Sequence, residues 1–290
     1  MIKLFASDLD GTLLNLAHMM DPAIRSALKA VTASGTHFAV ATGRTMRSTD
    51  DFGFRGVPIE AVCSNGAIVL DRSGRAIKSY PIDPVFLKEL VEAFPGACLE
   101  CVGLDRTYVT GSFEDLMSGF VAKGGVASQV KMAALRIRRR QMRSDCVFGQ
   151  GADDVVAHDI CKVNARVADP GLEAELKAFL AEHEREATNA PFNPVMFEIT
   201  AAGVDKGAAL EWLAGYLGIE PSEVAVYGDG GNDVAMLERF EHAYATGNGA
   251  DDAKRAAGNV IGSCAAYAVP RHMVATVRAQ GAVGAYTRID

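Results

Sequence analysis

What most restricts the fold of this chain is the way its short apolar runs end. Leu4 to Ser7 runs into Asp8, His37 to Ala41 into Thr42-Gly43-Arg44, and Val224 to Tyr227 into Gly228-Asp229. Runs this short, apolar without alternation, fit strands buried on both faces, and such strands belong to parallel sheets covered by helices. Helical patterns alternate with them. Pro22 to Ser34 reads as a helix with Asp21 as N-cap, Pro22 in its first position and Gly35 after its end. Lys206 to Leu217, Ala235 to Phe240 and Asp251 to Ala257 read as further helices, with His242 to Ala245 another strand. The expected fold is α/β, a doubly wound parallel sheet of Rossmann-like layout. Such sheets bind ligands beyond the carboxyl ends of their strands, which is where these polar segments fall.

The middle of the chain follows a different pattern. Between Asp83 and Phe192, helices at Pro84 to Phe94 and Leu172 to Glu186 mix with less regular strands and a Gly124-Gly125 pair. Pro81, Pro84, Pro191 and Pro194 punctuate its ends. Residues 1–82 and 193–290 are therefore expected to form a core, with 83–192 an inserted α+β domain. Within the insert, residues 116–144 carry Lys123, Lys131, Arg136, Arg138, Arg139, Arg140 and Arg143 and no acid. A solvated basic face accounts for this run; capture of an anionic substrate is the functional alternative. The run lacks the interleaved aromatics of a nucleic-acid platform.

Composition narrows the partners. With 29 Lys+Arg against 36 Asp+Glu the net charge is −7, which argues against nucleic acid and anionic membranes as partners. Charges interrupt every apolar run before the roughly 18–20 residues of a membrane span. Ile2 to Ala6, around Lys3, is too short for a signal-peptide core. The six cysteines are then expected to be reduced thiols in a cytoplasmic protein.

Asp8-Leu9-Asp10-Gly11-Thr12 places two carboxylates one residue apart at a strand end, projecting to one side while the chain stays extended. Such a pair can hold a hard cation, or one group can attack while the other moves protons. Thr42-Gly43-Arg44 offers a hydroxyl and backbone N–H groups suited to phosphate oxygens, and equally suited to capping a helix. Lys206 opens a helix. Gly228-Asp229-Gly230-Gly231-Asn232-Asp233 adds two acids and an amide, and having Asp at 233 it departs from the dinucleotide fingerprint Gly-x-Gly-x-x-Gly. Nucleophile, proton shuttle, oxyanion clamps and Mg²⁺ site are the parts phosphoryl transfer needs.

In order along the chain, Asp8-Leu9-Asp10-Gly11-Thr12-Leu13-Leu14, Ala41-Thr42-Gly43-Arg44, Ser64-Asn65-Gly66-Ala67, Asp205-Lys206-Gly207 and Gly228-Asp229-Gly230-Gly231-Asn232-Asp233 resemble the motifs of haloacid dehalogenase-like (HAD) hydrolases. The Ser-Asn-Gly-Ala segment and the large insert are similar to the Cof-type subfamily with a C2-class cap. The resemblance implies an aspartyl phosphate on Asp8, with Asp10 as general acid and base. It implies phosphate binding by Thr42, Lys206 and Asn232 and by the backbone N–H groups of Leu9 and Gly43. It implies Mg²⁺ on the Asp8 carboxylate, the Asp10 carbonyl and Asp229, with Asp233 supporting the metal site or the lysine. The reaction implied is Mg²⁺-dependent hydrolysis of a small phosphorylated metabolite such as a sugar phosphate, a nucleotide or a cofactor phosphate. A sugar phosphomutase of related architecture and a non-catalytic phosphate-binding regulator are the alternatives. The resemblance lapses at Gly262-Ser263-Cys264-Ala265-Ala266-Tyr267, where the family often carries an Asn-Asp-rich turn.

Other features point away from chemistry. Cys98-Leu99-Glu100-Cys101 lacks a second close pair for zinc, and in an extended segment its thiols face opposite ways. Trp212 is expected to pack in the core. The insert is expected to close over the Asp8 edge and contact the leaving group without performing phosphoryl chemistry.

Overall fold

A computed structural model of the protein describes residues 1–121, 144–190 and 196–281. The chain divides into two compact units, Met1–Ser79 with Val204–Asp290, and Tyr80–Gly203. The first is built on strands β1 (Leu4–Ser7), β2 (His37–Ala41), β3 (Glu60–Cys63), β4 (Ile68–Leu70), β5 (Ala76–Ser79), β12 (Val224–Gly228) and β13 (His242–Ala245). Their order is β13-β12-β1-β2-β3-β4-β5. Pairing is parallel from β13 through β3. It turns antiparallel at β3–β4 and β4–β5. The sequence reading held only the parallel part. The chain reverses at once through the tight turn Ser64–Gly66, and a hairpin needs no crossover helix to announce it.

Alternation along the strands assigns the two faces. Leu4, Ala6, Ala39, Ala41, Val224 and Val226 pack against Leu210, Leu213, Met236 and Leu237, on the helices Lys206–Tyr216 and Val234–Arg239. On the other face Phe5 and Tyr227 lie side by side, and Tyr227 meets His272 of the helix Ala268–Ala279. Both faces are therefore covered, as apolar parallel strands require. Leu213 is fully buried, so its truncation to Ala would cost about 2–5 kcal/mol. The helix Pro22–Ala33 starts where its capping chemistry dictates: Asp21 accepts from the N–H groups of Ala23 and Ile24 at 3.0 Å each.

The second unit holds β6 (Leu99–Gly103), β7 (Thr107–Val109), β8 (Cys146–Phe148), β9 (Ile160–Arg166), β10 (Ala187–Asn189) and β11 (Met196–Ala201) in the order β10-β11-β9-β6-β7-β8. All neighbours are antiparallel except β7–β8. Phe86, Leu90, Leu99, Val163, Leu176 and Phe197 lead its separate core. The helix expected at Leu172 to Glu186 spans Pro170–Glu182 instead. Asp169 caps it by accepting from Leu172 N–H, with Pro170 in the first turn, so it begins earlier. It ends at His183, whose backbone leaves the helical region.

The basic cluster from Lys123 to Arg143 and the linker residues Pro191, Phe192 and Pro194 lie outside the described residues. Cys101 lies in the insert's core and burial pushes its thiol pKa up; burial likewise raises Cys98 to about 11, so neither is a ready thiolate. Among the described residues no helix is long and apolar enough to cross a membrane.

Candidate active site

Strand β1 delivers Asp8 at its carboxyl end. The chain does not stay extended beyond it, as the sequence reading expected. Leu9–Leu13 winds into one wide helical turn, closed by Leu13 N–H to Asp8 O at 3.3 Å and Leu14 N–H to Leu9 O at 2.9 Å. Gly11 makes this possible with φ +80, and a Cβ there would fall 2.2 Å from Asp229 Oδ2. The turn sends the two carboxylates to different partners, so they do not act from one extended face.

Asp8 is 6% exposed and accepts from Lys206 Nζ at 2.7 Å. Lys206, itself 1% exposed, also donates to Asp233 Oδ1 at 2.6 Å. The second Asp233 oxygen accepts from the N–H groups of Asp229 and Gly230 at 2.9 and 3.0 Å. Asp229 Oδ1 accepts from Thr12 Oγ1 at 2.7 Å. Carboxylate oxygens of Asp8, Asp229 and Asp233 lie within 4.8 Å of one another.

One ammonium thus faces three acids, and the titrations follow. Burial raises the Asp8 pKa to about 7; Lys206 opposes the shift, while Asp233 and Asp229 add to it. Burial also raises Asp229 to about 6 against the Thr12 hydrogen bond. Burial would depress Lys206, but the Asp233 and Asp8 carboxylates outweigh it and hold it well above the usual lysine range. An excess of crowded, desolvated oxygen ligands suits a hard dication such as Mg²⁺. Both Asp233 oxygens are engaged by Lys206 and the Asp229-Gly230 backbone, which leaves Asp8 and Asp229 the better-placed carboxylate ligands.

Asp10 stands in a different field. It takes two hydrogen bonds from Arg44, Nε to Oδ2 at 2.7 Å and a second guanidinium N–H to Oδ1 at 2.5 Å, while His18 Nδ1 lies 2.8 Å from Oδ1. Burial would raise its pKa, but the Arg44 hydrogen bond and charge, then His18, hold it below the usual carboxylate value. The Asp10 carboxylate is therefore engaged by Arg44 and His18 and stands outside the three-acid group, close enough for its charge to raise Asp229; the resemblance implies its carbonyl, not this carboxylate, as the metal ligand. Arg44 also lies over the Phe52 ring at 4.7 Å.

The remaining expected residues gather at the same sheet edge. Thr42 follows β2, buried, and its Oγ1 accepts from Arg44 N–H at 3.1 Å; Gly43 lies between them, and Leu9 is buried beside Asp8. Asn232 donates from Nδ2 to Asn65 Oδ1 at 3.3 Å. Ser64 and Asn65 have φ of 54 and 57, a left-handed conformation that costs roughly 1–3 kcal/mol per non-glycine residue and clusters at functional sites.

The segment 262–267, where the family pattern lapses, folds as a support. Asn248 donates from Nδ2 to Gly11 O at 2.8 Å, and its Oδ1 accepts from Cys264 N–H and Ser263 Oγ at 2.9 and 3.1 Å. Ser263 caps the turn Cys264–Ala266, and Tyr267 donates to Asp21 Oδ2 at 2.7 Å. Arg44, His18 and Asn248 are thus site neighbours the sequence reading left without roles. Arg44 sat inside one of the family motifs; His18 and Asn248 had no signal.

A largely parallel α/β sheet with a carboxylate–lysine cluster at its strand ends, interrupted by a second unit, defines a class of hydrolases. The chain belongs to the haloacid dehalogenase-like hydrolase family, whose profile matches residues 5–272. Phosphatase YwpJ of Bacillus subtilis is 28% identical over 273 residues, covering 87% of this chain and 92% of YwpJ. HMP-PP phosphatase of Yersinia enterocolitica is 28% identical over 280 residues, covering 94% of each. Chloroplastic endoribonuclease YBEY of Arabidopsis thaliana is 26% identical over 88% of this chain, but the match spans only 43% of that longer protein. The solved structure of a haloacid dehalogenase-like hydrolase from B. subtilis superposes with TM-score 0.78 at 26% identity, covering 94% of this chain and 99% of the other. The protein is a HAD-type hydrolase whose relatives include named phosphatases.

Proposed function

We propose that the protein hydrolyses phosphomonoesters of small metabolites through an aspartyl phosphate on Asp8. The observation that carries this reading is the buried Asp8 carboxylate at a strand end, held at 2.7 Å by Lys206 beside Asp229. Asp8 attacks phosphorus, and the P–O bond to the leaving group breaks as Asp10 supplies that oxygen with a proton. Asp10 then takes a proton from water, which attacks the phosphoryl group and releases phosphate and Asp8. In the resting site Asp10 is a carboxylate clamped by Arg44 and His18; on leaving the clamp it takes up a proton from solvent, passes that proton to the leaving oxygen, and is thereby returned to the carboxylate that serves as base in the water step.

Lys206, Thr42, Asn232 and the N–H groups of Leu9 and Gly43 hold the non-bridging oxygens. Mg²⁺, held by Asp8, Asp229 and the Asp10 carbonyl with Asp233 in support, supplies charge neutralisation between an anionic nucleophile and a phosphate dianion. Relatives named as phosphatases, one of them for HMP-PP, support a small phosphorylated substrate.

The test is hydrolysis of an aryl phosphate with Mg²⁺, abolished by chelator and restored by Mg²⁺, followed by a panel of phosphorylated metabolites scored by released phosphate. No hydrolysis of any phosphomonoester in the presence of Mg²⁺ would refute the reading.

A further inference from the structure

The turn Ser64–Gly66 joins three segments of the site that are far apart in sequence. It sits at the carboxyl end of β3, beside the Thr42 end of β2, and its backbone is tied there: Asn65 N–H donates to Thr42 O at 3.1 Å and Ser64 N–H to Arg44 O at 3.0 Å. On another side it abuts the start of the helix that bears Lys206, so closely that a Cβ on Gly66 would lie 2.3 Å from Asp205 O. Through its side chain it reaches Asn232, whose Nδ2 donates to Asn65 Oδ1. Three consecutive residues, Ser64, Asn65 and Gly66, hold positive φ. Ser64 and Asn65 are 0% and 2% exposed, and Ser64 Oγ is buried without a hydrogen-bond partner among the described residues.

A hairpin could be closed more cheaply. Two non-glycine residues in the left-handed region and an orphaned hydroxyl are costs that a connecting turn need not carry, and observed strain of this kind points to a constraint set by the site. Asn tolerates the left-handed region better than most residues and offers an acceptor oxygen at short reach. At position 65 it satisfies the backbone and the contact to Asn232 together.

We infer that Asn65 is a positioning residue: its carboxamide fixes the Asn232 amide for the phosphoryl group, while its backbone registers the Thr42 strand end against the Lys206 helix. This rests on the phosphatase reading above. Asn65 need not touch substrate. It acts by removing the rotational freedom of Asn232, so that the amide is aligned before phosphate arrives.

Asn65→Gly separates the two contributions, because glycine accepts positive φ without strain while the carboxamide is lost. The variant should unfold within a few degrees of wild type and bind Mg²⁺ unchanged. Its affinity for vanadate and inorganic phosphate should fall about tenfold, a typical loss for one hydrogen bond to a charged group, with KM rising more than kcat falls. Asn232→Ala should show a similar loss, and Asn65→Gly/Asn232→Ala should lose no more than the worse single variant, because both remove one interaction. Wild-type anion affinity in Asn65→Gly, or losses that multiply in the double variant, would overturn the inference while leaving the phosphatase reading intact. Failure of the wild-type protein to bind either anion in the presence of Mg²⁺ would overturn that reading and the inference with it. Should Asn65→Gly unfold early, the Asn232 comparison is repeated with Asn65→Ser, which keeps a side chain too short to reach Asn232 and carries the same expected loss and the same refutation.

Discussion

Lys206 in the core and Lys162 in the insert are both 1% exposed and both ion-paired. Their surroundings differ in charge balance. Lys162, inside β9, pairs with the buried Glu198 of the neighbouring strand β11. Lys206, at the start of its helix, faces Asp8 and Asp233, with Asp229 beside them. Lys162 meets Glu198 one to one across two paired strands. An unbalanced cluster at strand ends is held together by the fold at a cost, and on the phosphatase reading proposed above a cation and a substrate would complete it. The difference explains why two equally buried lysines are given different roles.

The comparison breaks first at Lys206. Lys206→Met leaves Asp8 and Asp233 without the ammonium they share and removes the proposed phosphate clamp. Turnover of an aryl phosphate should fall about a hundredfold to a thousandfold, and added Mg²⁺ should recover part of the lost thermal stability but little of the activity.

At Lys162 the expected loss is one of stability. Lys162→Met removes the ammonium that faces the buried Glu198, which costs about 3–5 kcal/mol in urea unfolding. Lys162→Met/Glu198→Leu should recover most of that loss, because a buried pair is replaceable by well-packed apolar residues. A double variant no more stable than the single one would show that Lys162 is not what makes the buried Glu198 tolerable.

The smallest effect is the pH dependence of Mg²⁺ binding. Raised pKa values near 7 for Asp8 and 6 for Asp229 mean that the metal-free site holds protons that Mg²⁺ must displace. The ionised forms are the binding forms, so affinity should rise with pH, most steeply below about 6, and level off above about 7. Their ionisation also costs stability in the metal-free protein as pH climbs through this range. Calorimetry from about pH 5 to 8.5 measures the affinity directly; a flat profile would mean that these carboxylates are not the ligands.

Much of the site could be read in the sequence because it depends on strand ends. Asp8, Thr42 and Asp229 each follow an apolar run by one or two residues, so locating the strands located the residues. Asp21 was legible for a similar reason, since helix capping is local. Contacts between distant segments were not legible. Nothing near Asp10 shows that Arg44, far along the chain, would take both its oxygens. The left-handed turn at Ser64 and Asn65 was hidden as well, because neither residue type demands positive φ. Its conformation comes from tertiary ties to Thr42, Arg44 and the Lys206 helix, and the antiparallel β3–β4 pairing follows from it. Burial of Lys206 was likewise invisible, since a lysine opening a helix reads locally as a surface residue.

The central claim is that Asp8 becomes phosphorylated, and the direct measurement is chemical trapping of that acyl phosphate. Protein mixed rapidly with aryl phosphate and Mg²⁺, quenched in acid and reduced with borohydride should yield homoserine at position 8 by peptide mass spectrometry. Chelator should abolish the product, and a folded Asp8→Asn variant should give none. Rapid turnover with homoserine at another acidic residue, or inversion of configuration at a chiral phosphorus with no trapped product, would contradict the account.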